Sequence, residues 1–131
     1  MSGSGDGTRP TVLLVEDDRT VSTVVSEMLA ALGYSVISAE SGDEALQCLE
    51  AHSTIELALT DLTMPGGISG DQLIPMIEDL RPKVRCIVMS GYISADRRHA
   101  LMQRPDIVVL PKPFTMAQLK NALEEADLRL P

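Results

Sequence analysis

The chain has 131 residues, 44% hydrophobic and 23% charged, which suffices for one domain with a full apolar core. Its net charge is −8, and only 2% of its residues are aromatic, with no tryptophan. Such a surface cannot neutralise phosphates over a broad face or stack bases, so direct nucleic-acid binding is not expected.

Residues 1–9 open Met-Ser-Gly-Ser-Gly-Asp-Gly and are expected to be a flexible lead-in to a single domain over 10–131. Val12-Leu13-Leu14-Val15 predicts a strand near 11–15 that runs straight into Glu16-Asp17-Asp18. The stripe of Val21, Val24, Val25, Met28, Leu29 and Leu32 predicts a helix over 19–32, with Asp18 as its cap and Gly33 as its stop. A strand near 34–39 leads to Ser41-Gly42-Asp43-Glu44, the capped start of a helix over 43–51. The third strand, near 56–60, ends at Asp61, and a glycine-rich loop separates it from a helix over 70–80. A strand near 84–89 closes on Ser90-Gly91 and precedes a helix over 95–103. The last strand, near 106–110, meets Lys112-Pro113, and Thr115 caps a final helix over 115–129 whose inner stripe is Leu119, Ala122, Leu123 and Ala126.

No apolar run approaches membrane-spanning length and no signal-peptide pattern opens the chain, so membrane insertion is not expected. Cys48 and Cys86 lack redox or zinc spacing, and two free thiols fit a reducing cytoplasm, the expected location.

Strands one, three, four and five are almost wholly apolar, as strands covered on both faces are. Five βα units in so short a chain predict an α/β fold. The expected form is a doubly wound five-stranded parallel sheet of order 2-1-3-4-5 with helices on both faces. In that order the first and third strands are neighbours, and Asp17 meets Asp61 at the switch point, where open α/β sheets bind ligands. Glu16, Asp17 and Asp61 would repel one another there unless a cation joined them. Mg²⁺ (or Mn²⁺) suits such a set, because it takes one or two carboxylates and keeps positions for water and phosphate. Lys112 adds a point charge able to pair with a phosphoryl oxygen or with Asp61. Ser90 adds a hydroxyl, and Gly91 leaves room for a group to approach. The combination fits an aspartate nucleophile attacking phosphorus, a reaction of positioning and charge neutralisation that needs no separate base.

Four segments carry a family resemblance: Val15-Glu16-Asp17-Asp18, Asp61-Leu62-Thr63-Met64-Pro65, Ser90-Gly91 and Lys112-Pro113-Phe114. In their order and spacing they resemble the receiver domain of two-component response regulators over about residues 10–129. The resemblance implies that Glu16 and Asp17 bind Mg²⁺ and that Thr63 adds a ligand through its backbone carbonyl. It implies that Asp61 accepts a phosphoryl group from a histidine kinase or a histidine phosphotransfer protein. Ser90 stands where the family holds a phosphoryl oxygen, Lys112 is the family's site lysine, and the Lys112–Pro113 bond is expected to be cis. The chain would then be no enzyme beyond its own aspartyl phosphorylation and dephosphorylation. A homodimer through the face of the fourth helix, fifth strand and fifth helix is a further expectation.

The sequence departs from the family pattern twice. Val109 stands three residues before the lysine, where most receivers carry the Tyr or Phe that swings inward on activation. A valine cannot make that rotamer switch, which keeps open a pseudo-receiver or phosphate-sink role with atypical output. Met64-Pro65-Gly66-Gly67-Ile68-Ser69-Gly70 is one residue longer than the commonest loop and is expected to be mobile. Rival functions on this fold fare worse. A flavin carrier needs a Ser/Thr/Gly-rich first loop, which Glu16-Asp17-Asp18 replaces with repulsion. An aspartate-nucleophile phosphatase needs Asp-x-Asp after the first strand, and this chain lacks it there. His52 and His99 have no ligand-spaced partner, and Arg97-Arg98 reads as a solvated face.

Overall fold

Five runs of mostly β-branched and aliphatic residues pair in parallel, each followed by a helix. The structure, a computed structural model, describes residues 11–62, 67–91, 94–104 and 107–128. The first half comprises β1 (Thr11–Val15), α1 (Arg19–Ala31), β2 (Ser35–Ala39), α2 (Gly42–Ala51) and β3 (Ile55–Asp61). The second half comprises α3 (Gly70–Leu80), β4 (Arg85–Ser90), α4 (Ala95–Met102), β5 (Ile107–Pro111) and α5 (Met116–Leu128). The strand order is β2-β1-β3-β4-β5, the doubly wound order expected, with every pairing parallel. The expected lead-in over 1–9, Thr63 and the loop residues 64–66 lie outside the described residues.

Strand alternation divides the core into two layers. Leu13, Val15 and Ala58 pack with Leu49, Leu73 and Ile77 on the side of α2 and α3. Val12, Leu14, Leu57 and Leu59 pack with Val25, Leu29, Leu119 and Leu123 on the side of α1 and α5. Both faces of the central strands are therefore dry, which is why their sequences read as unbroken apolar runs. Edge strand β2 keeps exposed Ser35 and Ser38.

Local chemistry sets the helix ends. The Asp18 carboxylate accepts from the amides of Thr20 and Val21, and Ser41 caps α2. Ser69 and Gln72 form a reciprocal capping box at α3, and Thr115 and Gln118 do the same at α5. Gly33, at φ 96°, supplies the left-handed residue that ends α1.

Candidate functional site

The sheet register brings the site together. Val15 pairs with both Ala39 and Thr60, so Glu16, the next residue, emerges beside Asp61. The Glu16 amide donates to Ala39 O at 3.0 Å, which fixes the turn out of β1. Asp61 is the last residue of β3 and pairs with Met89, and Leu62 N donates to Met89 O at 3.0 Å. Ser90 pairs with Pro111, and Lys112 N donates to Ser90 O, so the β4 and β5 ends are tied at the point where both side chains leave the sheet. The Lys112–Pro113 bond is cis, as expected.

Carboxylate oxygens of Glu16, Asp17 and Asp61 lie within 4.8 Å of one another, a spacing at which one small cation can touch all three. All are hard oxygen donors of the type Mg²⁺ prefers. The Lys112 ammonium lies 2.9 Å from Glu16 Oε1 and 3.4 Å from Asp61 Oδ2. Three carboxylates against one ammonium leave two negative charges, the deficit a divalent cation fills. The donor set and its charge thus fit the expected metal. Thr63, the expected carbonyl ligand, lies outside the described residues.

The three acids occupy different environments. Asp17 is exposed, Asp61 is buried, and Glu16 is only 1% exposed. Glu16 Oε2 also accepts the Asp18 amide at 3.1 Å, so both of its oxygens are engaged. Burial raises the Glu16 carboxyl above its ordinary value, against the lowering pull of the Lys112 and Asp18 hydrogen bonds. Burial pushes Lys112 down, but its hydrogen bond to Glu16 and the Asp61 charge outweigh that, and its pKa is raised. Lys112 therefore keeps its charge well into alkaline solution. Ser90 is buried at the β4 end, and a Cβ at Gly91 would meet none of the described residues within 4 Å.

Glu16, Asp17, Asp61 and Lys112 thus converge, with Ser90 on the strand end next to Asp61. Sequence reasoning had matched Lys112 with Asp61 or a phosphoryl oxygen, whereas its closest partner is Glu16. It also passed over Gly70. A Cβ there would lie 2.5 Å from Asp61 O and 2.8 Å from Leu62 Cα, so only glycine lets the start of α3 rest on the strand end that carries Asp61. The signal was present, a glycine directly after the Ser69 cap rather than at a helix stop. Arg97 is not simply solvated either, since it makes a two-pronged pair with Asp71 of α3 at 3.1 and 3.0 Å.

An open parallel α/β sheet with a carboxylate cluster and a lysine at its carboxyl edge belongs to the class of doubly wound domains whose ligand sites lie at the switch point. Within that class, the sequence profile of the response regulator receiver domain matches residues 12–124, and the chain belongs to that family. It is 34% identical over 116 residues to the DNA-binding transcriptional regulator NtrC of Azospirillum brasilense, covering 88% of this chain and 24% of that protein. It is 33% identical over 116 residues to the sensor kinase CckA of Brucella abortus, covering 88% of this chain and 12% of that protein. The chain thus spans a quarter or less of these relatives' length. A receiver domain from Clostridium thermocellum superposes with a TM-score of 0.83 at 25% identity, covering 92% of this chain and 96% of that one. A receiver protein from Pseudomonas putida gives 0.81 at 28% identity, covering 90% and 98%.

Proposed function

We propose that this receiver domain is a phosphoacceptor that takes a phosphoryl group from a phosphohistidine onto Asp61 in a Mg²⁺-dependent reaction. The observation that carries the reading is the shared Lys112 ammonium, held between Glu16 and Asp61 with a third carboxylate in reach. An Asp61 carboxylate oxygen forms the new bond to phosphorus as the donor's N–P bond breaks. The electron pair returns to the imidazole nitrogen, which takes up a proton from solvent. Lys112 is assigned to a phosphoryl oxygen, and in support Glu16 holds its ammonium closely while its contact to Asp61 is the longer of the two. The Ser90 hydroxyl is assigned to a second phosphoryl oxygen. Mg²⁺, held by Glu16, Asp17 and Asp61 with the Thr63 carbonyl, would neutralise charge developing on the transferred group. The domain catalyses only its own phosphorylation and dephosphorylation.

The donor is a histidine kinase or histidine phosphotransfer protein. In support, a nearly all-apolar groove of about 440 Å³ runs from exposed Val24 on α1 to Pro113 and Phe114 and includes Lys112 in its wall. A donor histidine presented on a protein surface would have an apolar seat beside the acceptor. Among the described residues no helix is long and apolar enough to cross a membrane, and a cytoplasmic setting fits two cysteines that form no disulfide. Val109, half-buried on β5 opposite Val88, favours an output that does not run through an aromatic switch, as in a relay or sink domain.

Acetyl phosphate with Mg²⁺ is expected to add one phosphoryl group to the wild-type protein and none to Asp61→Asn, read by intact mass. An unlabelled wild type, or equal labelling of the variant, would remove the assignment.

A further inference from the structure

The fourth helix is weakly held. Among the described side chains of α4, residues 95–101, none is buried, and of these Leu101 packs against the core. A cleft of about 230 Å³ lies between α4 and α3, bordered by Ile74, Arg97, Ala100, Leu101, Arg104 and Ile107. Two ion pairs span it. Arg97, in the first turn of α4, grips Asp71 in the first turn of α3, and Arg104, just past α4, pairs with Glu78 near the end of α3.

The two anchors on α3 differ. Asp71 follows Gly70, whose amide donates to Leu62 O at 3.0 Å and whose Cα faces Asp61 O with no room for a methyl group. A displacement of the Asp61–Leu62 backbone must therefore be transmitted to Gly70 and Asp71, because close-packed atoms have no slack. Pro75 sharpens this. It lies inside α3 and has no amide to give the Asp71 carbonyl four residues earlier, so the first turn is tied less firmly to the rest of its helix. Glu78 lies beyond that break. One anchor of α4 is thus mounted on the acceptor strand end, and the other on the fixed body of α3.

We propose that the first turn of α3 couples Asp61 to α4. Gly70 senses the acceptor backbone, and the Asp71–Arg97 pair holds α4 in place until phosphorylation shifts that turn and loosens it. The inference rests on Asp61 being the phosphoacceptor, and it supplies a route to the surface that does not need an aromatic side chain at Val109. A bidentate arginine–carboxylate pair suits the role, since it fixes orientation and weakens sharply when its partner rotates.

The test compares wild type, Asp71→Asn, Arg97→Gln and the charge swap Asp71→Arg with Arg97→Asp. Each is treated with acetyl phosphate and Mg²⁺. Labelling is read by intact mass, and hydrogen exchange by the peptide over 95–102. In wild type, labelling is expected to raise α4 exchange. The two single variants should label equally at Asp61, exchange faster in α4 beforehand, and respond to labelling about threefold less, with the swap recovering the response. Equal labelling with an undiminished α4 response in the single variants would overturn the inference, as would a labelled wild type whose α4 exchange does not change. An unlabelled wild type would instead overturn the phosphoacceptor reading and this inference with it, and the mass measurement alone separates that case.

Discussion

Each end of the sheet holds a cation among oxygen atoms, and the two are used in opposite ways. At the amino edge, Arg81 follows α3 and donates to the carbonyls of Leu49, His52, Ser53 and Ile55 at 2.8–3.2 Å. Its planar fork is occupied by neutral acceptors that cannot change their charge, so it staples the end of α2 to the start of β3. At the carboxyl edge, Lys112 faces two carboxylates with a third nearby, and the charges do not cancel. A saturated cation stabilises a structure, whereas a cation in an unbalanced cluster leaves the site responsive to an incoming charge. The difference lies in the partners rather than in the depth of burial.

Arg81→Ala is expected to give the largest stability loss, roughly 3 kcal/mol by urea unfolding, since four charge-assisted hydrogen bonds go at once. Adding Mg²⁺ should recover none of it, because the amino edge holds no part of the carboxylate cluster. Lys112→Met should cost about 2 kcal/mol without metal, since it strands the buried Glu16 carboxylate; the partial exposure of Lys112 keeps this below the loss for a fully buried pair. Here Mg²⁺ should recover much of the loss. If the metal rescues both variants alike, or neither, the contrast between the two edges fails.

The pH dependence sharpens the same contrast. The Lys112 pKa is raised above its ordinary 10.5 in the folded protein. Its contribution is therefore complete below that value and is lost as pH rises through the higher folded value. Wild type and Lys112→Met should converge in stability only in strongly alkaline solution, as followed by circular dichroism across a pH series. The smallest effect is expected at Asp18→Ala, about 1 kcal/mol from the lost cap of α1. The Asp18 amide that Glu16 accepts is retained in that variant, so Mg²⁺ affinity should hardly move in a calorimetric titration.

Much of this architecture was legible in the residue order. Short apolar runs alternating with helical stripes marked ten elements within a residue or two of their observed bounds, because strand and helix periodicities are local properties. Asp18, Ser41 and Thr115 were legible as caps for the same reason, since a cap acts within three residues. The acids after β1 and at the end of β3 and the lysine after β5 were legible as one cluster, because parallel strands place their carboxyl ends side by side.

What the sequence by itself determined was therefore the set of elements, their order in the sheet, and which charged residues share its carboxyl edge. The tertiary structure alone decided the pairings. Lys112 and Glu16 are 96 residues apart, and which acid lies nearest the ammonium depends on the pitch of two strand ends. Arg97 and Asp71 are 26 apart and meet only because α3 and α4 lie side by side over a cleft. Gly70 owes its necessity to the Asp61 and Leu62 backbone that packs directly against it. Periodicity and capping act along the chain and can be read from it, whereas contact distances are set by how finished elements pack, which no local pattern encodes.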